Sequence, residues 1–571
     1  MTIQARGVSP TVRLGRHPIR FAGFLLACLC VVWGKTSVAQ DKSALSPSRL
    51  RLPNGPGSLD GIGENVEPEM NMGLASYSVA IDLPQGYAGA TPTLRLAYSS
   101  GDGNSDVGIG WSLSVPSIER MTARGLPHYS TGDRIAANGS DELVRVSAAG
   151  VYRARYEGRF VKYTWVDAAG DGHNGYWKAE YPDGRIGYFG AGSDGSTVAN
   201  AMDKGTQGTF RWHLVELVDA LGHSLRYEYG KDGAVSHLQR ITYVFDTQGK
   251  PKYEVDLSYE ARPDQLSDGK PGFELRTSQR LVGISVLTNG VQLRRYQLKY
   301  ETAVKSGGLS RLSAVQRFGV RDEGPFPVVF TFSYSAGLGS STPGVVTMNG
   351  ALGLDLRTGT ADLNDLNGDA LPDVVDTSLP LHRIFLSSLD SNGLPQFGAP
   401  VTSASGSATL RSKSVEMFDL DGDGHSDLVD SLNGRVLWNK GTGDWSDADQ
   451  PTALSFPDFA GDRDLRPIDY DNDRLIDVIH SDASGTWIYA NRGKGRFELV
   501  QAGVDAIGAG FTSDALQLAD MNGDGMQDLV RRGSQLVAYR MNLGFGHFDE
   551  WKEVAGAPEE GSDEHWVDLN G

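Results

Sequence analysis

The sequence is almost free of cysteine: in 571 residues, Cys28 and Cys30 are its two copies. Both lie in an apolar stretch near the N-terminus. From residue 31 onward the chain therefore forms no disulfide and offers no thiol nucleophile. Its stability must come from apolar cores and, where acidic side chains cluster, from bound cations.

Basic residues are scarce relative to acidic ones. The chain has 53 lysines and arginines against 71 aspartates and glutamates, and its formal net charge is −18. Nucleic acid is bound by basic surfaces, so we predict no nucleic-acid partner. The same charge argues against electrostatic binding to an anionic membrane.

Long apolar runs are missing after the N-terminal segment, so no stable membrane span is predicted once that segment is cleaved. Four arginines between positions 6 and 20 precede the apolar run Phe21–Trp33, and Ser37-Val38-Ala39 has the form of a small-x-small cleavage site. We therefore predict that residues 1–39 are a signal peptide and that the protein is secreted. The alternatives are an uncleaved anchor helix and a lipoprotein anchored at Cys28.

Helical periodicity is also scarce, whereas glycine is abundant, with 72 residues. Glycine disfavours helix interiors and suits turns and bulges. Short alternating segments, such as Thr93–Tyr98 and Tyr253–Tyr259, recur up to about residue 335, and alternation with period two predicts strands with one buried face. The predicted fold class is all-β. An antiparallel β domain is expected over residues 73–340, after a linker or lead-in strand at 40–72.

An acidic nine-residue motif repeats from about residue 360. Its first aspartates stand at positions 365, 419, 469, 520 and 568, and the fifth copy consists of the opening Asp568-Leu569-Asn570-Gly571. A second motif, Asn-x-Gly-x-Gly-x-aromatic, follows in phase from Asn439, Asn491 and Asn542. A period near fifty residues is typical of propeller blades. We predict an incomplete β-propeller over residues 350–571, with four repeats and the start of a fifth.

Each acidic loop carries the oxygen ligands that calcium prefers. Carboxylate or amide oxygens stand at positions 1, 3, 5 and 9, and the backbone carbonyl at position 7 completes the set. Glycine at position 6 permits the turn in the second and fourth loops, whereas Ala370 and Arg474 replace it in the first and third. We predict structural calcium; the alternative is a set of polar turns without an ion. The predicted ligands are Asp365, Asn367, Asp369, Leu371 and Asp373; Asp419, Asp421, Asp423, His425 and Asp427; Asp469, Asp471, Asp473, Leu475 and Asp477; and Asp520, Asn522, Asp524, Met526 and Asp528.

Catalytic motifs are absent from the sequence, which contains no Gly-x-Ser-x-Gly elbow, Walker loop or His-Glu-x-x-His. The paired carboxylates have the spacing of the ion loops. We therefore predict no catalytic residues and no enzymatic activity, with a propeller hydrolase as the enzymatic alternative.

Several motifs resemble the N-terminal domain of SpvB and Tc toxin B proteins, among them Gly73–Val79, Pro92–Gly101, Val107–Leu113 and Trp212-His213-Leu214. The strand-flanked acidic loops resemble FG-GAP/VCBS repeats of integrin-like propellers. SpvB also carries an ADP-ribosyltransferase, of which only the Glu-x-Glu spelling at Glu67-Pro68-Glu69 is found, so that activity is not expected.

The resemblance implies a secreted virulence component of an SpvB/Tc-type toxin or Rhs-like protein. Such a component would act as a calcium-stabilised, non-enzymatic scaffold that docks to a protein partner, either a toxin subunit or a host receptor. The alternative is a secreted lectin or adhesin whose propeller binds glycans or a host protein.

Overall fold

The structure is a computed structural model. It describes residues 2–3, 67–69, 74–87, 90–167, 175–326, 330–334, 352–369, 371–391, 395–404, 408–412, 414–441, 445, 465–482, 485–493, 495–502, 511, 516–533 and 536–554. These residues are nearly all β, which confirms the predicted class. Their helical elements are α1 (Ala303–Ser306) and 3₁₀ turns at Ala199–Ala201, Val320–Asp322 and Leu356–Thr358. None of the described helices is long and apolar enough to cross a membrane.

The strands before residue 335 form antiparallel sheets. They are β1 (Thr2–Ile3), β2 (Glu67–Glu69), β3 (Leu74–Ala80), β4 (Arg95–Ser99), β5 (Trp111–Leu113), β6 (Ser117–Arg120), β7 (Ile135–Ala137), β8 (Asp141–Ser147), β9 (Val151–Ala154), β10 (Lys162–Asp167), β11 (Gly175–Glu180), β12 (Ile186–Phe189), β13 (Met202–Lys204), β14 (Thr209–Val218), β15 (Ser224–Asp232), β16 (Val235–Phe245), β17 (Pro251–Asp268), β18 (Leu275–Thr288), β19 (Val291–Tyr300), β20 (Leu312–Phe318) and β21 (Phe330–Ser333).

Eight of these strands close into a barrel. Hydrogen bonds link them in the order β6-β7-β8-β9-β10-β11-β12-β14, and β14 returns to β6. From β14 the sheet continues as a meander of sequential neighbours to β21, with which β1 pairs. Strands β2 to β5 form a separate small sheet. All pairings between the strands of this N-terminal domain (residues 74–334) are antiparallel, as predicted; the isolated bridge between Ala123 and Gly125 is parallel.

The core of the N-terminal domain follows the predicted alternation. In β4, Leu96 and Tyr98 are buried while their neighbours are more exposed. Trp177 and Trp212 are almost fully buried in the barrel, with ring centroids 6.3 Å apart. Trp212 also donates its indole N–H to Gly175 O at 3.1 Å. Burial of such large aromatic side chains supplies much of the driving force for closing a small barrel.

The repeats after residue 350 form a succession of small antiparallel sheets. Their strands are β22 (Ala361–Asn364), β23 (Asp373–Asp376), β24 (Leu381–Phe385), β25 (Ser387–Leu389), β26 (Pro395–Phe397), β27 (Val401–Ala404), β28 (Val415–Phe418), β29 (Asp427–Asp430), β30 (Arg435–Leu437), β31 (Leu465–Ile468), β32 (Asp477–Asp482), β33 (Gly485–Asn491), β34 (Phe497–Ala502), β35 (Leu516–Ala519), β36 (Asp528–Gly533), β37 (Leu536–Arg540) and β38 (Lys552–Glu553). In every repeat the acidic loop joins the first strand of the sheet to the second.

The asparagine motif connects neighbouring repeats. Asn439 donates from Nδ2 to Leu366 O in the preceding repeat at 2.7 Å, and Asn491 donates in the same way to Leu420 O at 2.7 Å. Successive sheets joined through buried polar contacts are what the prediction of an incomplete propeller requires, and the propeller itself stays a prediction. Within the predicted signal peptide and lead-in segment, the described residues are those of β1 and β2. The opening of the fifth repeat lies outside the described residues.

Candidate metal centres

The second and third acidic loops gather three carboxylates each. Ligand oxygens of Asp419, Asp421 and Asp423 all lie within 4.8 Å of one another. In the third loop the same holds for Asp469, Asp471 and Asp477. These clusters consist of predicted ligands and supply the hard oxygen donors that calcium prefers.

Position 1 of each loop organises the turn. In the second loop, Asp419 Oδ1 accepts the N–H of Gly422 at 2.8 Å and Asp419 Oδ2 accepts that of Gly424 at 2.8 Å. Gly424 has φ +91, a conformation that a residue with a β-carbon adopts at a cost. The glycine expected at position 6 thus serves the turn that directs the loop's carboxylates inward.

The aspartate at position 9 of each acidic loop, which we name the pivot aspartate, is buried in all four repeats. Asp427, for example, is 1% exposed; its Oδ2 accepts from Leu420 N at 3.0 Å and its Oδ1 from Asn439 N at 2.8 Å. Asp373, Asp477 and Asp528 make the equivalent pairs of bonds. The pivot aspartate therefore joins the acidic loop to the second repeated motif. This link explains why the two motifs recur with the same period.

Burial raises the pKa of the pivot aspartates. It raises the pKa of Asp427 and of Asp477 to about 8 and that of Asp528 to about 7. Neighbouring loop carboxylates contribute in the same direction, while the backbone N–H donors oppose them. A nearby cation would remove this penalty on the charged form.

Asp471 provides a direct test of whether a cation fits. Its Oδ1 is buried and has no hydrogen-bond partner among the described residues. Burial and the neighbouring Asp473 and Asp469 raise its pKa to about 6. A buried carboxylate oxygen without a donor is costly unless a cation meets it, so the third loop fits calcium chemically.

The first and fourth loops differ in their amide at position 3. Asn367 Nδ2 donates to Asp369 Oδ2 at 3.0 Å, and Asn522 Nδ2 donates to Asp524 Oδ2 at 2.9 Å. Neither loop gathers three close carboxylates among the described residues. The structure therefore brings the predicted acidic ligands together in the second and third loops, and in the other two an amide bonds to one of the acids.

The residues at position 7 show a shared backbone contact. Leu371, His425, Leu475 and Met526 each donate their backbone N–H to the aspartate at position 5, at 2.8 to 2.9 Å. The His425 ring adds a contact that sequence reasoning missed, because its Nδ1 lies 3.0 Å from Asp423 Oδ1. Their carbonyl groups remain predicted ligands.

The N-terminal domain matches the family described as Salmonella virulence plasmid 65kDa B protein, SpvB, over residues 69–241. Residues 469–531 match an FG-GAP-like repeat. Over these segments the chain is similar to SpvB and Tc toxin proteins. Mono(ADP-ribosyl)transferase SpvB of Salmonella choleraesuis is 35% identical over 95 residues, which are 17% of this chain and 16% of that relative.

Solved toxin structures share the fold of this SpvB/Tc toxin-like chain. The Photorhabdus luminescens Tc holotoxin pore aligns with 91% of this chain and 28% of its own, with a TM-score of 0.71 and 20% identity. The TcdB2-TccC3 structure covers 89% of this chain and 31% of its own, with a TM-score of 0.51 and 18% identity. At these identities the likeness concerns the fold.

The prediction that the chain has no enzymatic activity is corrected by its relatives, which are named mono(ADP-ribosyl)transferases. The matched segments span 17% and 14% of this chain, so they do not establish that activity for it. Sequence reasoning went wrong because it treated one missing motif set as a property of the whole chain.

Proposed function

We propose that this chain is an exported component of an SpvB/Tc-type toxin that serves as a calcium-stabilised scaffold and docks to a partner protein. The N-terminal β domain and the repeats together form the scaffold. Calcium ions in the acidic loops hold the repeats in the shape of a partial propeller, whose surface binds a toxin subunit or a receptor.

The observation that carries the calcium part is the third loop. Three carboxylates converge there, and the buried Oδ1 of Asp471 has no donor among the described residues. The position-1 and position-9 aspartates are already fixed by backbone N–H groups, so the site is arranged before an ion arrives. Support for the toxin part comes from the fold likeness to the Tc holotoxin pore over 91% of the chain.

Calcium titration of the full chain tests the ion sites. After EDTA treatment, saturating calcium should raise the melting temperature of the repeats by about 5–10 °C, since a ligand that binds the folded state stabilises it. Asp471→Ala should weaken the response, and so should Asp423→Ala. Asp102→Ala, which removes an exposed acid of the N-terminal domain, is the matched control. A calcium-insensitive melt of protein shown to be ion-free at the start would exclude calcium stabilisation.

Affinity purification tests export and docking. A tagged chain expressed in its own bacterium should appear in the medium and co-purify with a protein similar to Tc toxin subunits. Recovery solely from the cytoplasm, without such a protein, would contradict this role. Capture by a glycan array with no protein partner would favour the lectin alternative.

A further inference from the structure

Two segments of the N-terminal domain lie against the repeats, and we name them docking loop 1 (residues 122–129) and docking loop 2 (residues 267–273). Tyr129 joins them, because its hydroxyl donates to Pro271 O at 2.6 Å and its side chain is buried. The two loops therefore form one surface. The contacts of this surface fall on the third and fourth repeats.

The third acidic loop is bonded to docking loop 1 by three hydrogen bonds. Gly125 N and Leu126 N donate to the carbonyl oxygens of Asn472 and Asp471, each at 2.8 Å. In return, Asn472 Nδ2 donates to Thr122 O at 2.7 Å. The carbonyl of a predicted calcium ligand, Asp471, thus serves as an acceptor for the other domain.

Asn472 also explains a departure from the repeat. Position 4 is glycine in the other three loops, at Gly368, Gly422 and Gly523, whereas the third loop places asparagine there with φ +58. Asparagine tolerates this left-handed conformation better than most residues. Its side chain makes the bond to Thr122 that glycine could not make.

Docking loop 2 donates a hydrogen bond to a carboxylate of the fourth acidic loop. Gly269 is buried and donates its N–H to Asp524 Oδ2 at 2.7 Å. A β-carbon at Gly269 would lie 2.2 Å from Asn542 O, so the two backbones approach too closely for any other residue without a shift. Asp524 is the predicted ligand at position 5, and its second oxygen accepts from Met526 N.

Gly544, the first glycine of the Asn-x-Gly-x-Gly-x-aromatic motif in the fourth repeat, packs closely against docking loop 1. A β-carbon at Gly544 would lie 1.9 Å from Leu126 Cδ1. Gly493 occupies the same motif position in the third repeat with the same φ of +78, yet a β-carbon there would meet nothing within 4 Å. Beside Gly544, the rings of Phe545 and His128 pack with centroids 4.6 Å apart.

We infer that domain docking and cation binding are coupled through the third and fourth acidic loops, an inference that rests on the proposed calcium sites. A cation that fixes Asp524 and the backbone at Asp471 holds in place the acceptors that Gly269 and Leu126 bind. Coupling between two binding events is reciprocal, so docking in turn raises the cation affinity of these two loops. The second loop, which lies outside the docking contacts described above, stabilises its own repeat.

Hydrogen exchange measured by mass spectrometry on the full chain tests the coupling. After EDTA treatment, added calcium should slow exchange in peptides that cover docking loops 1 and 2 by about tenfold, in the range of ordinary coupling energies. Exchange in the barrel strand β11 should not change. Asp520→Asn should abolish the effect at docking loop 2, whereas Asp419→Asn in the second loop should leave it intact.

A matched glycine pair tests the docking surface without calcium. Gly544→Ala and Gly493→Ala impose the same backbone cost, but the new methyl group of the first alone meets Leu126. Gly544→Ala should therefore speed exchange in both docking loops, and Gly493→Ala should not. Asn472→Gly, which restores the glycine of the other loops, should speed exchange at docking loop 1 while calcium still binds.

The outcomes separate the two proposals. Equal effects of the two alanine variants, together with unchanged exchange at docking loop 1 in Asn472→Gly, would overturn docking through this surface. Calorimetry that shows calcium binding without any change in docking-loop exchange would overturn the coupling and leave the proposed calcium sites standing. If calorimetry shows no calcium binding, both the ion sites and the coupling fall, and the glycine pair still decides whether the docking surface exists.

Discussion

Two buried aspartates, one from each region of this molecule, have opposite pKa shifts. In the N-terminal domain, Asp203 is fully buried, yet His213 and Arg211 outweigh the cost of burial and hold the pKa of its carboxyl well below the usual range. In the repeats, Asp427 is equally buried but accepts only from backbone N–H groups among the described residues, and burial raises its pKa to about 8. The N-terminal domain thus supplies Asp203 with cationic partners, whereas Asp427 requires a proton or an external cation to offset the cost of burial.

The apolar cores differ in the same sense. The N-terminal domain has one continuous core that runs from the small sheet through the barrel to the meander. In the repeats, three smaller clusters each join neighbouring sheets: repeats one and two, two and three, and three and four. Repeats that are held pairwise depend on every interface. Ions at the loops would therefore add most where the apolar core contributes least.

The largest test of this comparison removes an internal charge partner. Asp203→Ala should destabilise the N-terminal domain by about 2–3 kcal/mol, because His213 and Arg211 lose a fully buried hydrogen-bond partner, although Arg211 keeps its pairing with Glu119. Asp203 also accepts the N–H of Ser236 at 2.8 Å, which would lose its partner. Urea unfolding followed by tryptophan fluorescence measures the change. Exposed Asp102→Ala is the control, and a loss below about 1 kcal/mol for Asp203→Ala would contradict the account.

Acidification is expected to have a smaller effect on the stability of the N-terminal domain. Burial of Asp264 is outweighed by Arg262, Ser310 and Asn104, and these partners lower the pKa of Asp264 to about 2. Because the unfolded value is near 3.9, this carboxylate stabilises the fold fully above that pH, and the contribution is lost as the pH falls to about 2. The N-terminal domain should lose about 2 kcal/mol between pH 5 and pH 2 from this group.

Urea unfolding at several pH values across that window checks the sign. Asp264→Asn should start less stable at pH 5 and lose less on acidification, so the two curves converge near pH 2. Parallel curves would show that Asp264 does not carry the dependence.

The sequence predicts what is local and misses what is distant. Alternation in Thr93–Tyr98 predicts a strand with one buried face because that pattern lies within six residues, and the spacing of the acidic loops is equally local. Closure of the barrel depends on the pairing of Arg211 with Glu119, 92 residues earlier, and no short pattern encodes it. The bond from Asn472 to Thr122 spans 350 residues. The sequence therefore shows that the third loop lacks the glycine at position 4, but it does not show why.

The smallest test concerns the other replaced glycine of the third loop. Arg474 occupies position 6 with φ +76 and is exposed. A left-handed conformation costs a residue with a β-carbon about 1–2 kcal/mol, a cost that glycine avoids. Part of this stabilisation is offset, because glycine gives the unfolded chain more conformational entropy. Arg474→Gly should therefore stabilise the repeats by about 0.5–1 kcal/mol.

The matched change is Gly424→Ala, at position 6 of the second loop, where φ is +91 and a β-carbon would meet nothing within 4 Å. It should destabilise by about 1 kcal/mol, because backbone strain alone is added. Opposite signs at one loop position, measured by urea unfolding in EDTA, would show that position 6 acts through the backbone. If Arg474→Gly lowers stability instead, the arginine side chain stabilises the third loop. The left-handed conformation at position 6 would then be explained by the same docking contacts that Asn472 makes beside it.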